Sequence, residues 1–377
     1  MTTKIDRFLA ETQPETPCLI MDLDLVELAY RRLVEALPTT RVFYAVKANP
    51  APEILSLLTR LGSSFDTASR GEIELVLAAG ADASRISFGN TIKKQVDIEW
   101  AWAKGVKLYA FDCEAELVKL AQAAPGASVF CRILVKGEGA RWPLSKKFGC
   151  SPELGVELLR KAKALGLDPY GVSFHVGSQQ TDPAQWEHPI ARAAGMFRAL
   201  ADEGIELGLV NLGGGFPGHY SSDVVPVGRY GEAIMAAMTK HFGNDLPAMI
   251  IEPGRGMVAD AGVLQTEVVL VSTRDTRTHR RRWVYLDAGK FNGLIETLDE
   301  VIRYEIKTPH DGKETGPVVL AGPTCDSLDI LYEKADYRLP LDLAIGDKVQ
   351  ILAIGAYCSS YASVGFNGFA PLKTYCI

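Results

Sequence analysis

"RVFYAVKANP", residues 41–50, starts as a buried β-strand and ends on an amine. Val42 to Val46 is an unbroken apolar run, Lys47 follows it, and Pro50 stops regular structure three residues later. The same unit then recurs: a short apolar strand, a turn and an amphipathic helix. The strands read "RVFYAVKA" (41–48), "SSFDTAS" (63–69), "RISFGN" (85–90), "KLYAFDC" (107–113), "SVFCRILV" (128–135), "YGVSFHVG" (170–177), "LVNLGGGF" (209–216) and "AMIIEPG" (248–254). Helical stretches such as "APEILSLLTRLG" and "ELGVELLRKAKALG" separate them, the latter closing on Gly166. Eight strand–helix units predict a (β/α)8 TIM-like barrel. An open dinucleotide-binding sheet would need a glycine fingerprint after its first strand, and "AVKANPAPE" has none.

After about residue 258 the rhythm changes. "VLQTEVVLVSTR", "RRWVYLDAG", "GPVVLAGPTC" and "KVQILAIGAYC" are strand-like, with few helices between them. The expected organisation is a barrel over 23–258 and a mostly antiparallel β domain made of 1–22 plus 259–377. The early strand "TPCLIMDLD" joins the latter, because a lone strand needs a sheet.

Composition narrows the partners. A net charge of −6 leaves no footprint for nucleic acid, and the one dense basic run, "RDTRTHRRR" (274–282), reads as a solvated loop tip. No apolar run approaches the ~18 residues of a membrane span. "MTTKIDRFLAETQPETP" lacks the pattern of a signal peptide. Seven cysteines without a C-x-x-C pair argue against a disulfide framework or a metal site. Free, mostly buried thiols in a cytoplasmic protein are the expectation.

In such barrels the chemistry sits at the carboxyl ends of the strands. Here those ends carry Lys47, Asp66, His175, "GGGFPG" (213–218) and "EPGR" (252–255). Each has an ordinary alternative: a snorkelling lysine, a core histidine, a flexible glycine turn, a surface arginine. Glu252 has the least ordinary position, since a carboxylate at the end of "AMII" is expensive to bury without a cation. Together they fit one cofactor. Pyridoxal 5′-phosphate needs a lysine for its aldehyde and a site for its phosphate, here Gly213, Gly214, Gly215 and Arg255. It also needs an acid, Glu252, for its protonated ring nitrogen.

The motifs also resemble a known family. "FYAVKANP", "SFHVGSQ" (173–179), "NLGGGFPG" (211–218), "EPGR", "GPTCDSLD" (322–329) and "GAYCSSYASVGFNGF" (355–369) occur in the order found in the ornithine/diaminopimelate/arginine decarboxylases. These are alanine-racemase-like, fold type III pyridoxal-phosphate enzymes. "GGGFPG", "CDSLD" and the closing "FNGF" resemble the ornithine decarboxylase branch. The resemblance implies that Lys47 binds the cofactor's aldehyde, with Asp66 an acid beside it. It implies His175 stacked on the ring, and Ser178, Gly213 to Gly215, Arg255 and Tyr357 on the phosphate. Glu252 would face the ring nitrogen. Cys325 would protonate the product carbon, and Asp326 would bind the substrate's distal amine. Animal members carry a Tyr-Asp pair that aligns with Glu296 and Thr297, so Glu296 becomes a candidate for the distal end too. Because the family delivers Cys325 and Asp326 from a second subunit, a homodimer with shared active sites is implied. "ARWPLSKKFG" (140–149) resembles a mobile loop at the site's mouth.

The implied reaction is decarboxylation of a basic amino acid, with L-ornithine to putrescine in polyamine biosynthesis first. Lysine, or both, comes next, then arginine or diaminopimelate. A basic amino-acid racemase would need a second base facing Cα. A catalytically inactive regulatory relative would have lost the lysine or the phosphate site, and both are intact.

Overall fold

The computed structural model describes residues 2–142, 147–220, 224–275, 280–363 and 372–377. The chain divides into two compact units. One comprises Glu27–Pro217 and Val224–Gly256, the other Met1–Val26, Gly218–Asp223 and Met257–Ile377.

The first unit holds a closed barrel of eight parallel strands. In chain order they are Thr40–Ala45, Ser64–Thr67, Ile86–Phe88, Leu108–Phe111, Ser128–Arg132, Asp168–Ser173, Leu209–Asn211 and Ala248–Ile251. The last pairs with the first through Met249 opposite Thr40 and Ile251 opposite Val42, which closes the sheet. Phe43, Ala110, Phe130, Leu209 and Ile250, drawn from five of the strands, pack as one apolar cluster. A helix follows each strand, and its ends carry the signals that the sequence supplies. Pro52 starts the first, and Gly62, at φ +92°, stops it in the left-handed region. Ser69 and Ser151 cap two others by accepting backbone N–H groups.

The strands are shorter than the apolar runs suggest. The first ends at Ala45, and Val46–Ala48 form a 3-10 turn, so Lys47 lies in the turn and not on the strand. His175 likewise falls two residues beyond its strand, and Glu252 one residue beyond. Periodicity cannot tell a strand end from an apolar turn that packs beneath it.

The second unit is built on an eight-stranded sheet. Its spine is the long strand Gly262–Asp275, which pairs antiparallel with Arg280–Leu286, Lys348–Leu352 and Cys18–Met21. Two pairings are parallel: Cys18–Met21 with Lys373–Cys376, and Arg280–Leu286 with Val319–Ala321. The basic run 274–282 flanks this hairpin, and its tip, 276–279, lies outside the described residues, as do 143–146 of the expected loop and the "FNGF" of 366–369.

All seven cysteines are free thiols; Cys18, Cys131, Cys150 and Cys358 are buried, while Cys113 and Cys325 are exposed. Among the described residues no helix is long and apolar enough to cross a membrane, and no group of three or more metal-ligating side chains forms.

Candidate active site

Lys47 is held by its turn. Tyr44 donates its hydroxyl to the Asn49 carbonyl at 2.8 Å, and the Asn49 side chain accepts the Ala51 N–H at 3.1 Å. Ala45 also donates its N–H to the Pro253 carbonyl, at 3.0 Å, tying the first strand's end to the turn after the last. The Lys47 amine is half-exposed and lies 3.2 Å from Oδ2 of Asp66, which is buried at the end of the second strand. Gly89 backs that carboxylate so closely that a Cβ there would meet Asp66 Oδ1 at 1.9 Å. A lysine–acid pair thus stands at the barrel rim, its acid buried and its amine open to solvent.

Glu252, Asn211 and the glycine loop form a second cluster. The Asn211 amide donates to Glu252 Oε1 at 2.5 Å, and its carbonyl oxygen accepts the Gly213 N–H at 2.9 Å. One buried asparagine therefore joins acid and loop. Burial pushes the Glu252 carboxyl up to about 7, Asp66 adds to the rise, and Lys47, Asn211 and Arg132 oppose it. A carboxyl in that state lacks a full positive partner, which a protonated ring nitrogen would supply.

The glycines are required by space. A Cβ would meet the Phe174 carbonyl at 2.0 Å from Gly213, the Glu252 carbonyl at 2.5 Å from Gly214 and the Gly177 carbonyl at 2.6 Å from Gly215. Gly213 and Gly215 also have φ of +67° and +109°. Gly213 spends its N–H on Asn211, whereas those of Gly214 and Gly215 bond to nothing among the described residues. Beside them, Gly215 accepts the Gln180 N–H at 2.9 Å, which brings up the strand Ser178–Gln180. Arg255, only 3% exposed, aims Nε and Nη2 at Ser178 Oγ, at 3.3 and 3.2 Å. Two N–H groups, a hydroxyl and a buried guanidinium make a set suited to a phosphate. His175 accepts the Gly177 N–H on Nδ1 at 2.9 Å, leaving the proton of the neutral ring on Nε2. Burial, then the charges of Arg132 and Lys47, hold its pKa well below the usual imidazole value. It is a neutral flat ring next to Gly214, whose Cβ would come 3.3 Å from Nε2. These residues fit pyridoxal phosphate in aldehyde, ring and phosphate alike.

Two contributors went unremarked in the sequence. Asn211 had no signal beyond preceding the glycines. Arg132 had one: it is a cation inside the apolar run 128–135, and the structure ends the strand on it. It is half-buried, and burial draws its pKa down while Glu252, Asp112 and Asp66 raise it. Its guanidinium lies 5.6 Å from the centre of the Phe148 ring.

The other expected residues lie in the β unit. Cys325 is exposed, and Asp326 uses Oδ1 to accept the Leu328 N–H at 2.8 Å. Glu296, 5% exposed, sits in the 3-10 segment Ile295–Glu300, where its charge helps raise the buried Cys358 thiol. Tyr357 is half-buried in a left-handed conformation, φ +54°.

The raised Glu252 carboxyl has a consequence for the ligand-free protein. Its folded pKa of about 7 lies above the ordinary 4.5, so the neutral form favours the fold. That contribution is complete below the unfolded value and is lost as pH rises through the folded one. Between about pH 5 and pH 8 the wild type should lose Tm relative to Glu252→Gln. A Tm difference that stays flat across this range would remove the raised carboxyl.

Comparison with known proteins agrees with this geometry. A family model described as "Pyridoxal-dependent decarboxylase, pyridoxal binding domain" matches residues 23–259. The lysine/ornithine decarboxylase of Selenomonas ruminantium is 36% identical over 371 residues, 98% of this chain and 91% of that one. The ornithine decarboxylase of Mus musculus is 34% identical over 370 residues, 94% of this chain and 79% of that one. The crystal structure of a lysine/ornithine decarboxylase from Vibrio vulnificus, complexed with cadaverine, superposes with a TM-score of 0.89 at 32% identity. It covers 100% of this chain and 99% of that one. The chain belongs to the pyridoxal-dependent decarboxylase family and is a pyridoxal-phosphate-dependent decarboxylase of basic amino acids.

Proposed function

We propose that the protein converts L-ornithine to putrescine, with L-lysine as a second substrate, in polyamine biosynthesis in the cytoplasm. The observation that carries the reaction is the convergence of Lys47–Asp66, Glu252–Asn211 and the Gly214–Gly215–Ser178–Arg255 cradle on one barrel rim. The preference for ornithine rests on "GGGFPG", "CDSLD" and "FNGF", which resemble that branch, and on the length of Glu296. The family model over 23–259 supports a cofactor domain of 23–258, with 1–22 and 259–377 as the β domain.

When bound, pyridoxal phosphate supplies the sink for the electron pair left at Cα as CO2 departs. Lys47 anchors the cofactor's aldehyde and later returns its amine, and Asp66 accepts a hydrogen bond from that amine and keeps it in place. Glu252, once ionised, would hold positive charge on the ring nitrogen, and Asn211, bound to Oε1, would leave Oε2 to do so. Gly214, Gly215, Ser178 and Arg255 take the phosphate, with Tyr357 joining them. His175 would offer its neutral ring to one side of the cofactor and keep water off it. Cys325 passes the Sγ proton to the product carbon. Asp326, through its second oxygen, and Glu296 receive the distal ammonium. Cys325 and Asp326 act on the barrel of a partner copy, so the working unit is a two-fold homodimer.

CO2 release from ornithine, lysine, arginine and diaminopimelate, measured side by side, tests the substrate. Ornithine should have the highest kcat/KM, and arginine or diaminopimelate in first place would overturn the reading. Glu296 reaches about one methylene further than aspartate, so Glu296→Asp should lengthen the cavity and raise lysine turnover relative to ornithine. A ratio that stays put or falls removes Glu296 from the distal end. Lys47→Ala should abolish activity, and Cys325→Ala should cut it by roughly 10²–10⁴-fold with cofactor absorbance intact. Mixing the two variants under subunit exchange makes about half the dimers mixed, each with one whole site, so activity should recover to about a quarter of wild type. No recovery after proven exchange would place both residues' action within one chain.

A further inference from the structure

We propose that Asp329 is the positioning residue that places Cys325 and Asp326 and joins their loop to the segment carrying Glu296. The proposal rests on the reading of Cys325 as proton donor given above.

Asp329 is 2% exposed, and its carboxylate accepts three hydrogen bonds. Oδ1 accepts the Lys290 N–H at 2.7 Å. Oδ2 accepts the Thr324 N–H at 3.0 Å and the Thr324 hydroxyl at 2.7 Å. The Asp329 backbone is used as fully: its N–H donates to the Asp326 carbonyl at 3.1 Å, and its carbonyl accepts the Gly322 N–H at 2.8 Å. The loop 322–329 is thereby closed on itself and fastened to Lys290.

Two glycines from separate segments make room for this carboxylate. A Cβ on Gly289 would lie 2.3 Å from it, and one on Gly322 2.5 Å. Gly289 has φ −149°, and Gly322 is likewise outside the left-handed region, so both positions use the missing Cβ and not backbone freedom. A buried carboxylate that satisfies three donors is costly to replace, because each donor then loses its partner in a dry place.

The beneficiaries follow directly in the chain. Cys325 comes next after Thr324, and as an exposed thiol it takes its direction from the backbone that Thr324 anchors. Asp326 is held by both its carbonyl, through Asp329, and its side chain, through Leu328. Lys290 opens the stretch that leads to Ile295–Glu300 and Glu296. Donor loop and acid segment therefore share one fastening inside one compact unit.

Asp329→Asn keeps the shape and turns one acceptor into a donor facing other donors. Hydrogen exchange of the holoenzyme should show protection lost together in peptides spanning 286–294 and 321–330 and kept elsewhere. Cofactor absorbance of the resting enzyme should be unchanged, kcat should fall on the order of 10- to 100-fold with little change in KM, and more turnovers should end as amino-aldehyde, each leaving the cofactor in its pyridoxamine form. Gly322→Ala should reproduce this pattern, which guards against a peculiarity of the asparagine. In a Cys325→Ala background Asp329→Asn should cost clearly less turnover than it does in the wild type, because only the placing of Asp326 and the Glu296 segment is left to lose. Wild-type exchange in either segment, loss spread over the whole β unit, or a full extra loss in the double variant would overturn the proposal. Cys325→Ala with wild-type turnover would instead overturn the proton-donor reading, while the exchange result still decides whether Asp329 places the loop.

Discussion

Closing a parallel barrel forces all eight strands to deliver their carboxyl ends to the same rim. The polar groups gathered at that rim depend on that constraint. Lys47, Asp66, Arg132, Asn211 with the glycine loop, and Glu252 come from five different strands, far apart in sequence. Only the circular closure makes them neighbours. The apolar cluster of Phe43, Ala110, Phe130, Leu209 and Ile250 supplies the cohesion that lets the rim carry charge.

The charges at the rim are arranged as a circuit of compensations. Asp66 is wedged between Gly89 and Lys47; Glu252 is opposed by Lys47 and Arg132 yet stays half neutral near pH 7; His175 is kept uncharged by burial and the same two cations. A site in this condition is short of one positive group opposite Glu252 and one negative group in the glycine cradle. Pyridoxal phosphate would supply both, a protonated ring nitrogen and a phosphate, so its binding would relieve two electrostatic deficits in one event.

The β unit follows a different principle. Its proposed working residues, Cys325, Asp326 and Glu296, sit in irregular stretches and not at ladder ends, so a sheet register cannot place them. The fastening there is a single buried carboxylate, Asp329, with two glycines cleared away around it. Rigid loops on a sheet scaffold need such local locks, because turns bury too little surface to fix themselves.

The eight-fold strand–helix rhythm, the change of rhythm near residue 258 and the cluster of motif residues were legible in the sequence. Apolar period, glycine stops and strand-end charges are local properties, and local properties survive in a linear string. The tertiary structure alone decided the rest. It moved Lys47 off its strand into a 3-10 turn, because Tyr44 and Asn49 hold the chain there across the turn. It committed the Gly213 N–H to Asn211 and left those of Gly214 and Gly215 without a partner among the described residues. It brought Arg132 beside Glu252, although 120 residues separate them, and set Asp329 against two glycines on two segments. Each of these depends on which groups share a dry space, and desolvation and donor–acceptor pairing have no counterpart in the order of residues until the chain has closed around them.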